Sequence, residues 1–136
     1  MLTPEISKDQ SRIDIDFVHA FLTDSYWAKG RSKEDVEQSV RNSVCYGMYM
    51  DNRQIGFARV VTDTVVFAYL MDVFIDPEFR GSGYGFELVD FILKDPALKK
   101  VQTWRLATSD AHGLYQKFGF QPLADPAKMM ELKRQL

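Results

Sequence analysis

The stretch Ile75-Asp76-Pro77-Glu78-Phe79-Arg80-Gly81-Ser82-Gly83-Tyr84-Gly85 decides how the rest of the sequence is interpreted. It follows a run rich in β-branched and aromatic residues, Val65–Ile75, and precedes a helical pattern over Gly85–Leu93. Glycines at alternate positions allow a tight turn and leave main-chain N–H groups facing outward. Those amides, the positive end of the following helix and the charge of Arg80 together are typical of a phosphate or pyrophosphate site.

Two common phosphate-binding patterns do not fit this loop. The P-loop ends in a Lys-Ser/Thr pair, whereas this loop continues with Phe86-Glu87. The dinucleotide fingerprint needs a small residue three positions after Gly83, where Phe86 stands. It also needs an acidic residue about 20 positions further on, and none lies around Val101–Trp104. The spacing disfavours both families, and a turn that binds nothing stays an alternative at this point.

The hydrophobic pattern along the chain predicts a mixed α+β domain. The predicted elements are helices at 14–22 and 33–43, strands at 45–50, 54–62 and 65–75, a helix at 85–93, a strand at 100–107, a helix at 110–118 and a last strand within 128–133. A helix between the third and fourth strands makes those two strands parallel. With no repeat or long linker, the sequence predicts a single domain over residues 1–136, in which Met1–Gln10 is loose or strand-forming.

Composition argues against several classes of function. A chain of 136 residues can bury a core without disulfides or metals, and a net charge of -2 argues against nucleic acid as the main partner. The single cysteine, Cys45, excludes an intramolecular disulfide and fits a reducing compartment. Met1–Arg12 lacks the apolar segment of a signal peptide, and no apolar run approaches the about 20 residues of a membrane span. We therefore expect a cytoplasmic protein without a metal site or a membrane partner.

Two sequence blocks resemble the GCN5-related N-acetyltransferase (GNAT) superfamily. Arg80-x-x-Gly83-x-Gly85 matches its Arg/Gln-x-x-Gly-x-Gly/Ala signature, and Leu114–Phe120 matches its Leu-Tyr-x-x-x-Gly-Phe pattern. The resemblance covers about 54–120 well and the first 50 residues in outline, and Ser-Tyr-Trp at 25–27 is similar to small bacterial members. It implies an αβα sandwich whose mostly antiparallel sheet ends in a splayed parallel strand pair. It also implies transfer of an acetyl group from acetyl-CoA to an amine.

The resemblance further implies where acetyl-CoA binds. The pantetheine arm would lie between the splayed strands and bond main-chain groups of Val73, Phe74 and Ile75, one of which would stabilise the oxyanion. The pyrophosphate would bind Arg80 and the main-chain amides of Gly81, Ser82, Gly83, Tyr84, Gly85 and Phe86. Many relatives hold the pantetheine arm with an asparagine where this chain has Thr108, whose hydroxyl is the expected substitute.

Catalytic roles implied by the resemblance fall on Tyr115 and Asp72. Tyr115 occupies the position that protonates the departing thiolate, which a phenol with a pKa near about 10 can do at neutral pH. Asp72 resembles the acidic position of polyamine-type relatives and is a candidate base. The alternative is that Asp72 points to solvent or pairs with an arginine such as Arg59. A glutamate base that some relatives use falls here on Thr103, so that version of the base is absent.

The acceptor in this superfamily usually binds over the loop between the first two helices, here Asp24–Arg31. Its adjacent aromatic residues, Tyr26 and Trp27, predict an aromatic wall that attracts an ammonium group, aided by Asp24 and Asp72. We therefore expect direct attack by a primary amine of a small molecule in a ternary complex. A protein or peptide amine, and a degenerate acetyl-CoA sensor without turnover, are the alternatives. A homodimer, with 128–133 or its neighbours as the candidate interface, is a further expectation.

Overall fold

In a computed structural model that describes residues 3–135, a five-stranded sheet lies between two layers of helices. The strands are β1 (Glu5–Ser7), β2 (Val44–Met50), β3 (Arg53–Thr62), β4 (Phe67–Ile75) and β5 (Thr103–Arg105), and the helices are α1 (Ile15–Asp24), α2 (Lys33–Arg41), α3 (Tyr84–Leu93) and α4 (His112–Gln116). The strands follow one another in chain order, antiparallel except for the parallel pair β4–β5. The predicted α+β class with one parallel pair is confirmed.

Local sequence signals explain where several elements begin. The carboxylate of Asp14 accepts a hydrogen bond from the N–H of Phe17 at the start of α1. The hydroxyl of Ser32 likewise accepts a hydrogen bond from the N–H of Asp35 at the start of α2. Asp51 and Asn52 both have positive φ, the geometry of a two-residue hairpin turn between β2 and β3. The two caps satisfy main-chain amides at the starts of the helices, and the turn sets the register between β2 and β3.

Apolar residues form one core on each side of the sheet. One core joins β2, β3 and β4 to α3 and includes Leu88, Val89 and Ile92. The other joins α1 and α2 to the opposite face and includes Val18, Val36 and Phe74. Three layers in the order helix, sheet, helix result, so the predicted αβα sandwich is confirmed.

A β-bulge in β4 changes which side chains face each core. Ala68 and Leu70 pack in the α3 core, but so does Ile75, so the alternation along the strand shifts by one residue. The pairing with β3 shifts at the same place, between Phe57 and Arg59. Asp72 sits at the shift with φ 55°, an uncommon conformation for a residue with a side chain. The bulge therefore directs Asp72 to the α1/α2 side of the sheet.

The parallel strands separate soon after they meet. β4 and β5 pair only from Phe67 with Thr103 to Tyr69 with Arg105. β5 ends there and has three residues, fewer than half of the predicted 100–107, whereas β4 continues to Ile75. Its remaining main-chain groups on that edge have no strand partner among the described residues. This is the splayed pair that the resemblance implied, and it opens a gap in the sheet.

The predicted last strand is wrong. Pro126–Lys128 forms a 3-10 turn, and no strand follows it within the part of the chain that the structure describes. Residues 121–135 are exposed throughout. The apolar residues of this segment are compatible with a strand, but a strand also needs a partner, and no strand pairs with the outer edge of β5 in residues 3–135. At the other end, β1 lies within Met1–Gln10, which the sequence had left as loose or strand-forming; Met1 and Leu2 lie outside the described residues.

Candidate active site

A cavity of about 460 Å³ lies at the gap between β4 and β5. Its walls come from β4, from the loop between α1 and α2, and from the segment that joins β5 to α4. The cavity brings together six residues that the sequence singled out: Tyr26, Trp27, Asp72, Val73, Thr108 and Tyr115. This volume falls within the range of about 300–1,000 Å³ that is typical of small-molecule sites. The roles of these residues in binding and catalysis stay predictions.

Tyr115 has a buried ring and a hydroxyl without a protein partner among the described residues. The ring packs edge-on against Phe120, with 5.9 Å between the ring centroids. The hydroxyl makes no hydrogen bond to residues 3–135, yet no fully buried side-chain polar atom among them lacks a partner, so the hydroxyl is accessible to solvent. Tyr115 lines both this cavity and a neighbouring one of about 540 Å³. Burial, and then the negative charge of Asp110, raise the pKa of Tyr115 to about 12. The phenol is therefore protonated and available as a hydrogen-bond donor at neutral pH.

Asp72 is held from both sides of its carboxylate. Its Oδ2 accepts hydrogen bonds from Arg59 Nε at 3.0 Å and from Arg31 Nη1 at 2.8 Å. Trp27 Nε1 donates to Oδ1 at 2.8 Å. The side chain of Asp72 is only 1% exposed, and the pairing with Arg59 is the alternative that the sequence left open. Because donors occupy both oxygens, this geometry argues against Asp72 as the proton acceptor.

The aromatic pair of the α1–α2 loop forms one wall of the cavity. Tyr26 meets Trp27 edge to face, with 5.1 Å between the ring centroids. The main-chain N–H of Ser109 donates to the hydroxyl of Tyr26 at 3.3 Å, which links this loop to the segment before α4. Asp24, expected to attract a cation here, lies instead at a separate surface depression beside Asp76. The wall is therefore aromatic, and Asp24 does not contribute to it.

The loop before α3 presents a row of unpaired amides. The N–H groups of residues 81–86 donate to no protein group within the described chain, and the first helical amide to do so is that of Glu87. Gly81 and Gly83 have φ of 89° and 80°, a conformation that strains any residue with a side chain. Gly85 does not have a positive φ. The N-cap of the ten-residue helix α3 has no side-chain hydrogen bond. Unpaired amides at a helix start fit the phosphates of a bound cosubstrate.

Arg80 directly precedes the loop of unpaired amides, and Thr108 lines the cavity. Arg80 is exposed, and its Nε donates to the carbonyl of Ile75 at 3.1 Å, which ties the loop to the end of β4. Thr108 Oγ1 accepts from the N–H of Ala111 at 3.0 Å, so it stabilises the turn into α4. Its hydroxyl proton can still be donated to a ligand. Phe74 is stacked on Phe21 in the α1/α2 core, with 3.8 Å between the ring centroids, so its expected contribution is its main chain only.

Sequence reasoning missed two charged residues of the cavity, Arg31 and Asp110. Arg31 follows Gly30 in a polar loop and Asp110 precedes a short helix, and neither position carries a recognisable motif. Only the folded chain brings them to one cavity. No cluster of three or more metal-ligating side chains occurs within residues 3–135. Among the same residues, no helix is both long and apolar enough to cross a membrane.

Comparison with known proteins identifies the family. Residues 41–122 match the model of the acetyltransferase (GNAT) domain. A solved GNAT-family structure from Xanthomonas campestris pv. campestris is 42% identical, with a TM-score of 0.94 over 98% of this chain and 95% of that chain. An acetyltransferase structure with acetyl-CoA from Clostridium acetobutylicum is 16% identical, with a TM-score of 0.70 over 98% and 96% of the two chains, a likeness of fold alone.

Sequence relatives agree with this family but differ in length. A Gibberella zeae protein named as an acetyltransferase is 28% identical over 82% of this chain and 75% of its own length. Other curated N-acetyltransferase relatives are longer, and the chain spans 29%, 60% and 45% of them. The family match covers more than half of the chain, and it includes both sequence blocks and the cavity-lining strands. The chain belongs to the GNAT acetyltransferase family.

Proposed function

We propose that this protein transfers an acetyl group from acetyl-CoA to a primary amine of a small molecule, by direct attack in a ternary complex. The observation that carries the proposal is the unbonded hydroxyl of Tyr115, a residue that lines the cavity at the splayed strands. The unpaired amides of residues 81–86 at the end of β4 give the same region a phosphate-binding capacity. Acetyl-CoA, when bound, supplies an activated acetyl group as a thioester.

The residues of the chain then have separate roles. Unpaired main-chain N–H groups in the Val73–Ile75 stretch stabilise negative charge on the thioester oxygen as the amine attacks. Tyr115 donates its proton to the sulfur as the carbon–sulfur bond breaks, and it recovers a proton from solvent. The attacking nitrogen loses one proton, so the products are an N-acetyl amine and a free thiol. Asp72 acts as a positioning residue, since it fixes Trp27 and Arg31 in the cavity wall.

The shape of the cavity favours a small acceptor over a protein or peptide. The hydrogen bond between Ser109 and Tyr26 connects the two loops that border the cavity. An extended peptide needs a continuous open groove, and this connection interrupts one. The acetyl-CoA sensor without turnover stays the alternative, and no feature of the cavity favours it, because a sensor has no use for a free acid at the splay.

The test is to incubate the purified protein with acetyl-CoA and a mixture of amines. Free thiol is followed by a colorimetric reagent, and N-acetyl products are identified by mass spectrometry. The proposal predicts equal amounts of thiol and N-acetyl product. Calorimetric titration with acetyl-CoA, CoA and NAD runs in parallel. Binding of the CoA species without any product would support the sensor, and failure of both CoA species to bind would refute the proposal.

A further inference from the structure

We propose that the acceptor amine also carries an anionic group, a carboxylate or a phosphate, and that Arg31 binds this group. The inference rests on the proposed acetyltransferase function and specifies its substrate class. It comes from the charges of the cavity wall. The aromatic residues and Asp72 had suggested an acceptor that carries only a positive charge.

Charge around Asp72 is positive overall. Arg59 and Arg31 both contact the carboxylate of Asp72, so two positive groups surround one negative group. Arg59 approaches from the side of Ser43, whose hydroxyl it also contacts at 3.1 Å, and it does not line the cavity. Since Arg59 alone balances the charge of Asp72, Arg31 brings an excess positive charge to the cavity. An ammonium acceptor gains no net attraction from this wall.

Arg31 also has unused hydrogen-bond donors. Its side chain uses only Nη1 toward protein among residues 3–135, which leaves the Nε and Nη2 hydrogens without a protein partner. The side chain is 21% exposed and lines the cavity. A guanidinium that is anchored at one nitrogen presents its remaining donors in a fixed direction, which suits the two oxygens of a carboxylate or phosphate. The contact with Asp72 therefore orients Arg31 for a second anion.

The segment that joins β5 to α4 brings a negative charge to the same cavity. Asp110 lines the cavity and is exposed, and its negative charge acts directly on the phenol of Tyr115. The attacking amine must lie near Tyr115, because the thiolate that leaves the same carbon takes its proton from that phenol. An ammonium group next to Tyr115 is therefore close to Asp110, while Arg31 stands on the wall formed by the α1–α2 loop. Opposite charges on the two loops that border one cavity match a molecule that carries both an amine and an anion.

The experiment compares matched acceptors on the full chain. Standard α-amino acids are tested against their α-amides, and O-phosphoethanolamine against ethanolamine, with kcat/KM for thiol release as the readout. We expect the anionic member of at least one pair to be preferred by about tenfold or more, a difference typical of one charge-assisted contact. The pair that shows the preference identifies the anion as carboxylate or phosphate. Preference for the neutral member in every pair would overturn the inference while leaving the acetyltransferase function intact.

Variants assign the preference to Arg31. Arg31→Gln should abolish the preference for the anionic acceptor, mainly by raising the KM of that acceptor, and Arg31→Lys should restore part of the preference. The matched control is Arg41→Gln, which removes the same charge from an exposed position on α2. A preference that survives Arg31→Gln would refute the role of Arg31. Because calorimetric binding of each acceptor to the CoA-loaded protein is measured for the same variants, the inference is tested even if no acceptor turns over.

Discussion

Asp72→Asn removes the one negative charge that lies between Arg59 and Arg31, and we expect a large loss of stability. The carboxylate is 1% exposed and the side chain of Arg59 is 10% exposed, so neither charge regains much hydration in the folded variant. Breaking a buried ion pair by removing one partner costs about 3–5 kcal/mol, against a total stability of about 5–15 kcal/mol for a domain. With a urea slope of about 1–3 kcal/mol/M, the unfolding midpoint should fall by about 2 M.

Asp16→Asn provides the matched control for this loss. Asp16 pairs with Lys33 at 2.8 Å, the distance between Arg31 and Asp72, but the side chains of Asp16 and Lys33 are 81% and 50% exposed. Exposed pairs contribute little, so this variant should unfold close to the wild-type midpoint. Both variants are compared by urea titration followed by far-ultraviolet circular dichroism. A midpoint shift for Asp72→Asn no larger than that of Asp16→Asn would refute the account of a buried, mutually dependent cluster.

Three other predictions concern the glycine loop, the phenol and the thiol. Gly83→Ala should lower the free energy of unfolding by about 1–2 kcal/mol because the φ of Gly83 is 80°. Gly85→Ala should raise the free energy of unfolding by about 0.5–1 kcal/mol, since the atoms nearest to the added Cβ would lie at 3.9 and 4.0 Å. Thermal unfolding measures both, and equal effects would contradict the assignment. Folding raises the pKa of Tyr115 from about 10 to about 12. The protonated phenol therefore contributes its full stabilisation below about pH 10, and this contribution is lost as the pH rises through about 12. For the same reason, deprotonation of Tyr115 should cause no decline in wild-type kcat up to about pH 10. Burial raises the pKa of Cys45 to about 12, so a disulfide reagent should modify it only after unfolding, and rapid modification of the native protein would count against its burial.

Local signals in the sequence were sufficient to predict much of the fold and the loop before α3. The predicted helix at 33–43 and the predicted strands at 45–50 and 54–62 are present, since the cap at Ser32 and the turn at Asp51 and Asn52 depend on residues only a few positions apart. Tyr115 was identified through the family pattern around it, and it lies in the cavity. These features are predictable because their causes lie within one segment of chain or one conserved block of the resemblance.

Features that depend on distant pairing were not predictable. The bulge in β4 turns Asp72 toward Arg59 and Arg31, and no residue near Asp72 in sequence signals that shift. Arg31 enters the cavity only because α1 and α2 pack on that face of the sheet. The expected strand within 128–133 failed for a related reason, since a favourable side-chain pattern does not supply a pairing edge.

The most direct test of the central claim is the effect of Tyr115→Phe on turnover and on acetyl-CoA affinity, measured on the same preparation. The substitution removes only the hydroxyl, and the ring contact with Phe120 is retained. If Tyr115 is the general acid, kcat for thiol release should fall by about 10²-fold or more, while the Kd for acetyl-CoA stays close to the wild-type value. Wild-type turnover in Tyr115→Phe, or a loss of turnover that only follows weaker acetyl-CoA binding, would contradict the account.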